Sequence, residues 1–134
     1  MRIRVTHSID DLAADLDKIA TQAPVELART VRADAIEGNR IARAFASEQH
    51  TMHSDIDVPY QESFEAEEIG PHAWVYGPVD DGVAHGGSQA TGYELGSINQ
   101  PPHLDLARSV DIIGPQFAED VLEAAASLFW PGGR

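Results

Sequence analysis

The chain of 134 residues contains no cysteine. Disulfides, thiolate metal sites and cysteine nucleophiles are therefore excluded together. No apolar run approaches the roughly 18 residues that a membrane-spanning helix needs. The first residues carry charges that no apolar segment follows, so a signal peptide is not expected and synthesis in a cytoplasm is. The most telling absence concerns charge. Residues 44–107 hold eleven Asp or Glu and not one Lys or Arg. Gripping DNA phosphates takes Lys and Arg, so this stretch is not expected to bind nucleic acid. Residues 1–43 balance seven bases against seven acids, and residues 108–134 carry two Arg and four acids, for a net charge of −13. One reading of the acidity is solubility of a free chain. The other is a channel wall that DNA passes without sticking.

Catalytic signatures are missing as well. The glycine-rich segment 80–92, with Gly82, Gly86, Gly87 and Gly92, has no Gly-Lys-Ser/Thr and is expected to have no following helix, so it does not read as a phosphate loop. It reads as a loop that orders on assembly. His50 and His53, with Asp55 and Asp57 nearby, have spacing that a metal could use, but they fall in an aperiodic segment and read as a polar loop. His72, His85 and His103 are scattered. Glu65, Glu67 and Glu68 could supply an acid and a base for glycoside chemistry, but they lie on an acidic strand expected to be exposed. The serines lack a nucleophile-elbow context. The expectation is a protein that is not an enzyme and uses no metal or cofactor.

What is present is a strong pattern of elements in one domain, 1–134. Residues 1–5 alternate charged and apolar and predict a short strand. Ser8, followed three residues later by Asp11, starts a helix, with Ile9, Leu12, Leu16 and Ile19 at helical spacing and an end near Thr21. Pro24 suits the first position of a second helix, over 24–49. On a wheel of roughly 100° per residue, Leu27, Val31, Ala35, Ile41, Ala42 and Phe45 form an apolar arc with Gly38 at its centre. Arg29, Arg32, Arg40 and Arg43 fall within about 80° on another face, with Glu26, Glu37 and Glu48 between the two. That arginine face is either solvated beside local glutamates or set against the acidic surface of a neighbouring copy. Segments 63–69 and 72–76, joined at Gly70-Pro71, predict a hairpin in which Trp74 and Tyr76 share a face. Trp74 reads as a core or interface residue. A third strand over 93–95, a short helix over 103–110 broken at Gly114-Pro115, and a last helix to about Phe129 complete the reading. Phe129 and Trp130 are expected either in the core or against a partner. The fold class is α+β, with a small antiparallel sheet packed against a long helix and a C-terminal helix.

Residues 93–107 concentrate conformational constraint. Gly96 reaches backbone angles that other residues resist, and Pro101 and Pro102 fix their own φ and restrict the residues before them. Tyr93, Glu94, Gly96, Ser97, Pro101, Pro102, Leu104 and Ala107 together resemble the signature of a phage family, the small head–tail connector proteins (neck, tail-completion or tail-terminator) of long-tailed bacteriophages. The order of elements resembles that family over most of the chain, although residues 55–63 carry no base where the family has one. The resemblance implies a structural virion protein. Its copies would close into a homo-oligomeric ring, hexameric, between neck and tail-tube proteins, with genomic DNA passing through the lumen without sequence-specific binding and no membrane involved. Arg29, Arg32, Arg40, Arg43, Tyr93, Glu94, Gly96, Pro101 and Pro102 are the candidate subunit-interface residues. Glu94, alone in an apolar strand end, is expected to fix a conformation or to pair between subunits, its partner an arginine of the long helix. The alternative is an acidic cytoplasmic module that occupies a basic partner.

Overall fold

A computed structural model of the chain describes residues 8–49, 60–79, 90–98 and 101–130. The predicted strand over 1–5, the His50–His53 segment and most of the glycine-rich loop lie outside the described residues. The structure is mostly helical, with one two-stranded antiparallel sheet. In order, helix α1 spans Ile9–Gln49, a 3-10 turn spans Tyr60–Glu62, strands β1 and β2 span Phe64–Gly70 and Ala73–Pro78, and helices α2 and α3 span Ala90–Leu95 and Asp105–Phe129.

The start of α1 follows its sequence signal. The Ser8 hydroxyl accepts the Asp11 N–H at 3.1 Å, and the Asp11 carboxylate accepts the Ser8 N–H at 3.0 Å. Each side chain thus satisfies a backbone donor that the first turn leaves without an intrahelical partner. Beyond that point the expected division at Pro24 is corrected, because α1 runs unbroken through the proline. The expected break at Gly114-Pro115 is corrected likewise, since α3 is one helix from Asp105 onward. An interior proline costs about 3 kcal/mol in an isolated helix. Here both prolines face solvent, and the carbonyls that lose their donors, on Ala20 and Asp111, belong to exposed residues that water can reach. Each helix continues across the lesion because its neighbours are packed on another element. Ala23 and Leu27, on either side of Pro24, sit opposite Val121, Ala124, Ala125 and Leu128 of α3. Tertiary burial outweighs the local propensity.

α1 and α3 run antiparallel. Phe45 of α1 lies under the Arg108 guanidinium near the start of α3, and Ile19 meets Leu128 and Phe129 near its end. α1, with 41 residues, is about 60 Å long and α3, with 25, about 37 Å. The N-terminal turns of α1 therefore project past the end of α3.

The hairpin predicted at Gly70-Pro71 is present, in a register that runs from Phe64 opposite Pro78 to Glu68 opposite Trp74, with an irregularity between Glu68 and Gly70. One face of this sheet rests on α1. Asn39 of α1 donates its side-chain amide to the Phe64 carbonyl at 3.3 Å. Tyr76 reaches across to α3, where its hydroxyl lies 2.9 Å from that of Ser109. Ser109 gives its own proton to the Leu106 carbonyl at 2.7 Å, so Tyr76 is the donor in this pair. The expected third strand is corrected: the described sheet has two strands, and Tyr93–Leu95 closes the short helix α2 instead.

The buried apolar cluster is small. Ala42 and Ala46 of α1, Tyr60, Phe64 and Tyr93 form it, with Tyr76 and Leu106 against its edge. The alanines let the aromatic rings come close to the α1 backbone. Tyr60 packs edge-on to Phe64 with centroids 5.1 Å apart and tilts against Tyr93 at 4.6 Å. Rings at such offsets add about 0.5–1.5 kcal/mol per pair beyond area burial.

Candidate functional site

The constrained stretch of residues 93–107 forms the link between α2 and α3. Tyr93 is buried in the aromatic cluster and stacks on His103 with centroids 5.9 Å apart. Gly96, with φ of 83°, takes the left-handed conformation just past the end of α2, where glycine is the favoured residue. The chain then returns along α2. The His103 N–H donates to the Tyr93 carbonyl at 2.9 Å, and the Leu104 N–H to the Glu94 carbonyl at 3.3 Å. Pro101 and Pro102 are exposed on the way back.

Leu104 precedes α3 in the left-handed region, with φ of 57° and ψ of 38°, and its side chain has no group with which to cap the helix. Glu94 does so from a distance. Its carboxylate accepts the Leu106 N–H at 3.0 Å and the Ala107 N–H at 2.9 Å. A full negative charge on the first free N–H groups of a helix is favoured both by hydrogen bonding and by the helix dipole. The expected partner of Glu94, an arginine of the long helix, is corrected: the carboxylate is held by α3. Of its two expected roles, the fixing of a conformation is the one that these bonds serve.

The four arginines differ from one another. The Arg29 guanidinium pairs with Glu26 one turn away. Arg40 is held by both oxygens of Glu37, at 2.8 and 2.7 Å, which raises the guanidinium and lowers the Glu37 carboxyl from their ordinary pKa values. Arg32 stands over the Trp74 ring, 5.9 Å from its centroid. Arg43 is exposed. Ala28, Arg29, Arg32, Glu68, Pro71 and Trp74 line an open groove of about 490 Å³ between α1 and the hairpin. Thus Arg29 and Arg32 share a groove, while Tyr93, Glu94 and Gly96 belong to the α2–α3 link.

Sequence reasoning missed Asp34. Its side chain is buried between α1 and α3, only 7% exposed. Burial, a hydrogen bond to Asp120 of α3, and the charges of Asp120 and Glu37 push its pKa up to about 6. One carboxyl oxygen of Asp34 is buried without a donor. The signal was available, because position 34 falls inside the apolar arc, between Ile41 and Leu27 on the wheel. A second missed cluster surrounds Tyr60. Its phenol is pushed up by burial and then by the neighbouring charges of Asp105 and Glu94. Asp105 and Ser109 are fully buried in the first turns of α3.

Among the described residues, no three His, Cys, Asp or Glu side chains come together so as to hold a metal ion, and no helix is long and apolar enough to cross a membrane. No protein-family model, curated protein or solved structure matches the chain.

Proposed function

We propose that this chain is a structural subunit of the head–tail junction of a long-tailed phage, without enzymatic activity, whose copies close into a hexameric ring. Neck and tail-tube proteins are its neighbours in the virion, and genomic DNA passes through the lumen. The observation that carries the assembling role is unburied apolar surface. Only eight hydrophobic residues of the described chain are buried, whereas eighteen large ones are exposed, Ile9, Leu122 and Trp130 among them. Exposed apolar side chains that are contiguous, as Ile9, Leu12 and Leu16 are on one face of α1, mark a contact site. The phage assignment rests on the resemblance of residues 93–107. The α2–α3 link supports it in that Glu94 ties the end of α2 to the start of α3, as a subunit that acts as a wedge in a ring requires. The base-free stretch 44–107 repels phosphate and so suits a wall along a DNA path.

A second reading, an acidic module that binds a basic partner, is favoured by the pairing of Arg29 with Glu26 and of Arg40 with Glu37 within one copy. Sedimentation at low and high salt separates the two. The ring predicts self-association that weakens as salt rises. A monomer indifferent to salt and concentration, together with particles whose neck lacks this chain by negative-stain imaging with a specific antibody, refutes the ring and leaves the module.

A further inference from the structure

We infer that the projecting N-terminal turns of α1 dock into the Trp74 groove of a second copy, which makes the contact between neighbours head-to-tail. This inference rests on the ring reading above and names its interface.

The projecting turns carry an apolar stripe. Ile9, Leu12 and Leu16 continue the face through which Ile19, Ala23 and Leu27 meet α3, but α3 ends beside Asp15–Ile19. The three side chains are 86%, 54% and 52% exposed. At roughly 100° per residue, Asp10 and Asp17 rise on one side of the stripe and Asp15 on the other. Asp10 and Asp17 beside the stripe disfavour its pairing with its own counterpart, because like charges would be brought together.

Two grooves could receive such a helix. The one between α1 and α3, of about 350 Å³, is apolar, and the single charged residue on its lining is Glu26. An acid-flanked stripe finds no cation on that lining, where Glu26 is paired with Arg29. The groove between α1 and the hairpin offers Ala28, Pro71 and the Trp74 ring as apolar floor, with Arg32 beside that ring and Arg29 held by Glu26, against one further acid, Glu68. Apolar stripe then meets apolar floor, and Asp10 and Asp17 beside the stripe meet Arg32, which is the helix-in-groove mode with charge fixing its direction. Stripe and groove are different surfaces of one chain. Each copy therefore offers one of each, and such contacts close into a ring when the rotation between copies allows it.

The absence of cysteine gives a clean readout. Single-cysteine variants Leu12→Cys, Ala28→Cys and Leu122→Cys are mixed pairwise under mild oxidation, at concentrations where the wild type sediments as an oligomer. The expected result is a Leu12→Cys to Ala28→Cys crosslink in preference to the other pairs. Arg32→Glu is expected to weaken association about tenfold at low salt, and the double variant Asp17→Arg/Arg32→Glu to recover it. Circular dichroism confirms that each variant is folded. Crosslinking of Leu12→Cys to itself or to Leu122→Cys, or assembly of Arg32→Glu at wild-type strength, overturns the docking while the ring reading stands. A wild type that is monomeric at every concentration removes the ring reading and the docking with it.

Discussion

The Tyr76 ring occupies the space into which a side chain at Gly38 would grow. A Cβ at position 38 would lie 2.7 Å from Cε1 and 2.8 Å from Cζ of that ring. The ring cannot simply swing aside, because its hydroxyl is bound to Ser109 of α3. Gly38 therefore sets how closely the hairpin approaches α1.

Gly38→Ala is expected to lower stability by about 1–3 kcal/mol through overpacking, although alanine alone favours a helix over glycine by ~1 kcal/mol. In a Tyr76→Ala background the clash is gone and the same substitution is expected to stabilise. Urea unfolding of the four members of this double-mutant cycle measures the coupling. Additive effects would show that the ring does not limit position 38.

Glu94→Ala removes the acceptor for two N–H groups at the start of α3 and is expected to cost about 1–2 kcal/mol. Glu94→Gln keeps one oxygen and is expected to lose less. Hydrogen exchange should speed up first at Leu106 and Ala107. Unchanged protection at those two amides would show that the carboxylate does not cap the helix in solution.

Leu104→Asn is expected to raise the melting temperature, with a gain of about 0.5–1 kcal/mol. Asparagine tolerates the left-handed region better than leucine. The leucine side chain is 42% exposed, so little packing is lost. A fall in melting temperature would mean that its buried part contributes more than the backbone strain costs.

Asp34 makes stability depend on pH. Its carboxyl is harder to ionise folded than unfolded, so the folded chain holds this proton more tightly. The contribution is fully present below about 3.8, the ordinary value, and is lost as pH rises through about 6. Asp120 from α3 and Glu37 from α1 face it, and their charges add repulsion. Asp34→Asn removes the charge and is expected to stabilise the protein at pH 7 by about 1–2 kcal/mol, with little change at pH 4. Urea midpoints at both pH values check this, and an equal difference at both would rule out titration of Asp34 as the cause.

Local signals in the sequence were read well where a neighbouring residue completed them. Ser8 with Asp11 starts α1, Gly70-Pro71 turns the hairpin, and Gly96 holds a positive φ. The prolines at 24 and 115 misled, since what decides them is burial on α3 and α1, several turns away in space. The strand expected over 93–95 failed for a similar reason. Tyr93 and Leu95 suit either element, and the choice fell to the aromatic cluster that buries Tyr93. In the candidate site, Glu94 was marked by its isolation, but its partners lie twelve and thirteen residues on. Asp34 was passed over, although it interrupts an apolar arc.

The order of residues alone determined the helical periods, the cap of α1 and the hairpin turn, because each depends on atoms a few bonds or one turn apart, and it fixed the segregation of acids from bases. Only the folded arrangement decided that the helices run through their prolines, that Glu94 serves α3, that Asp34 meets Asp120, and that a stripe on α1 outruns its cover. Those outcomes depend on which surfaces lose water together, and that is a property of three-dimensional packing.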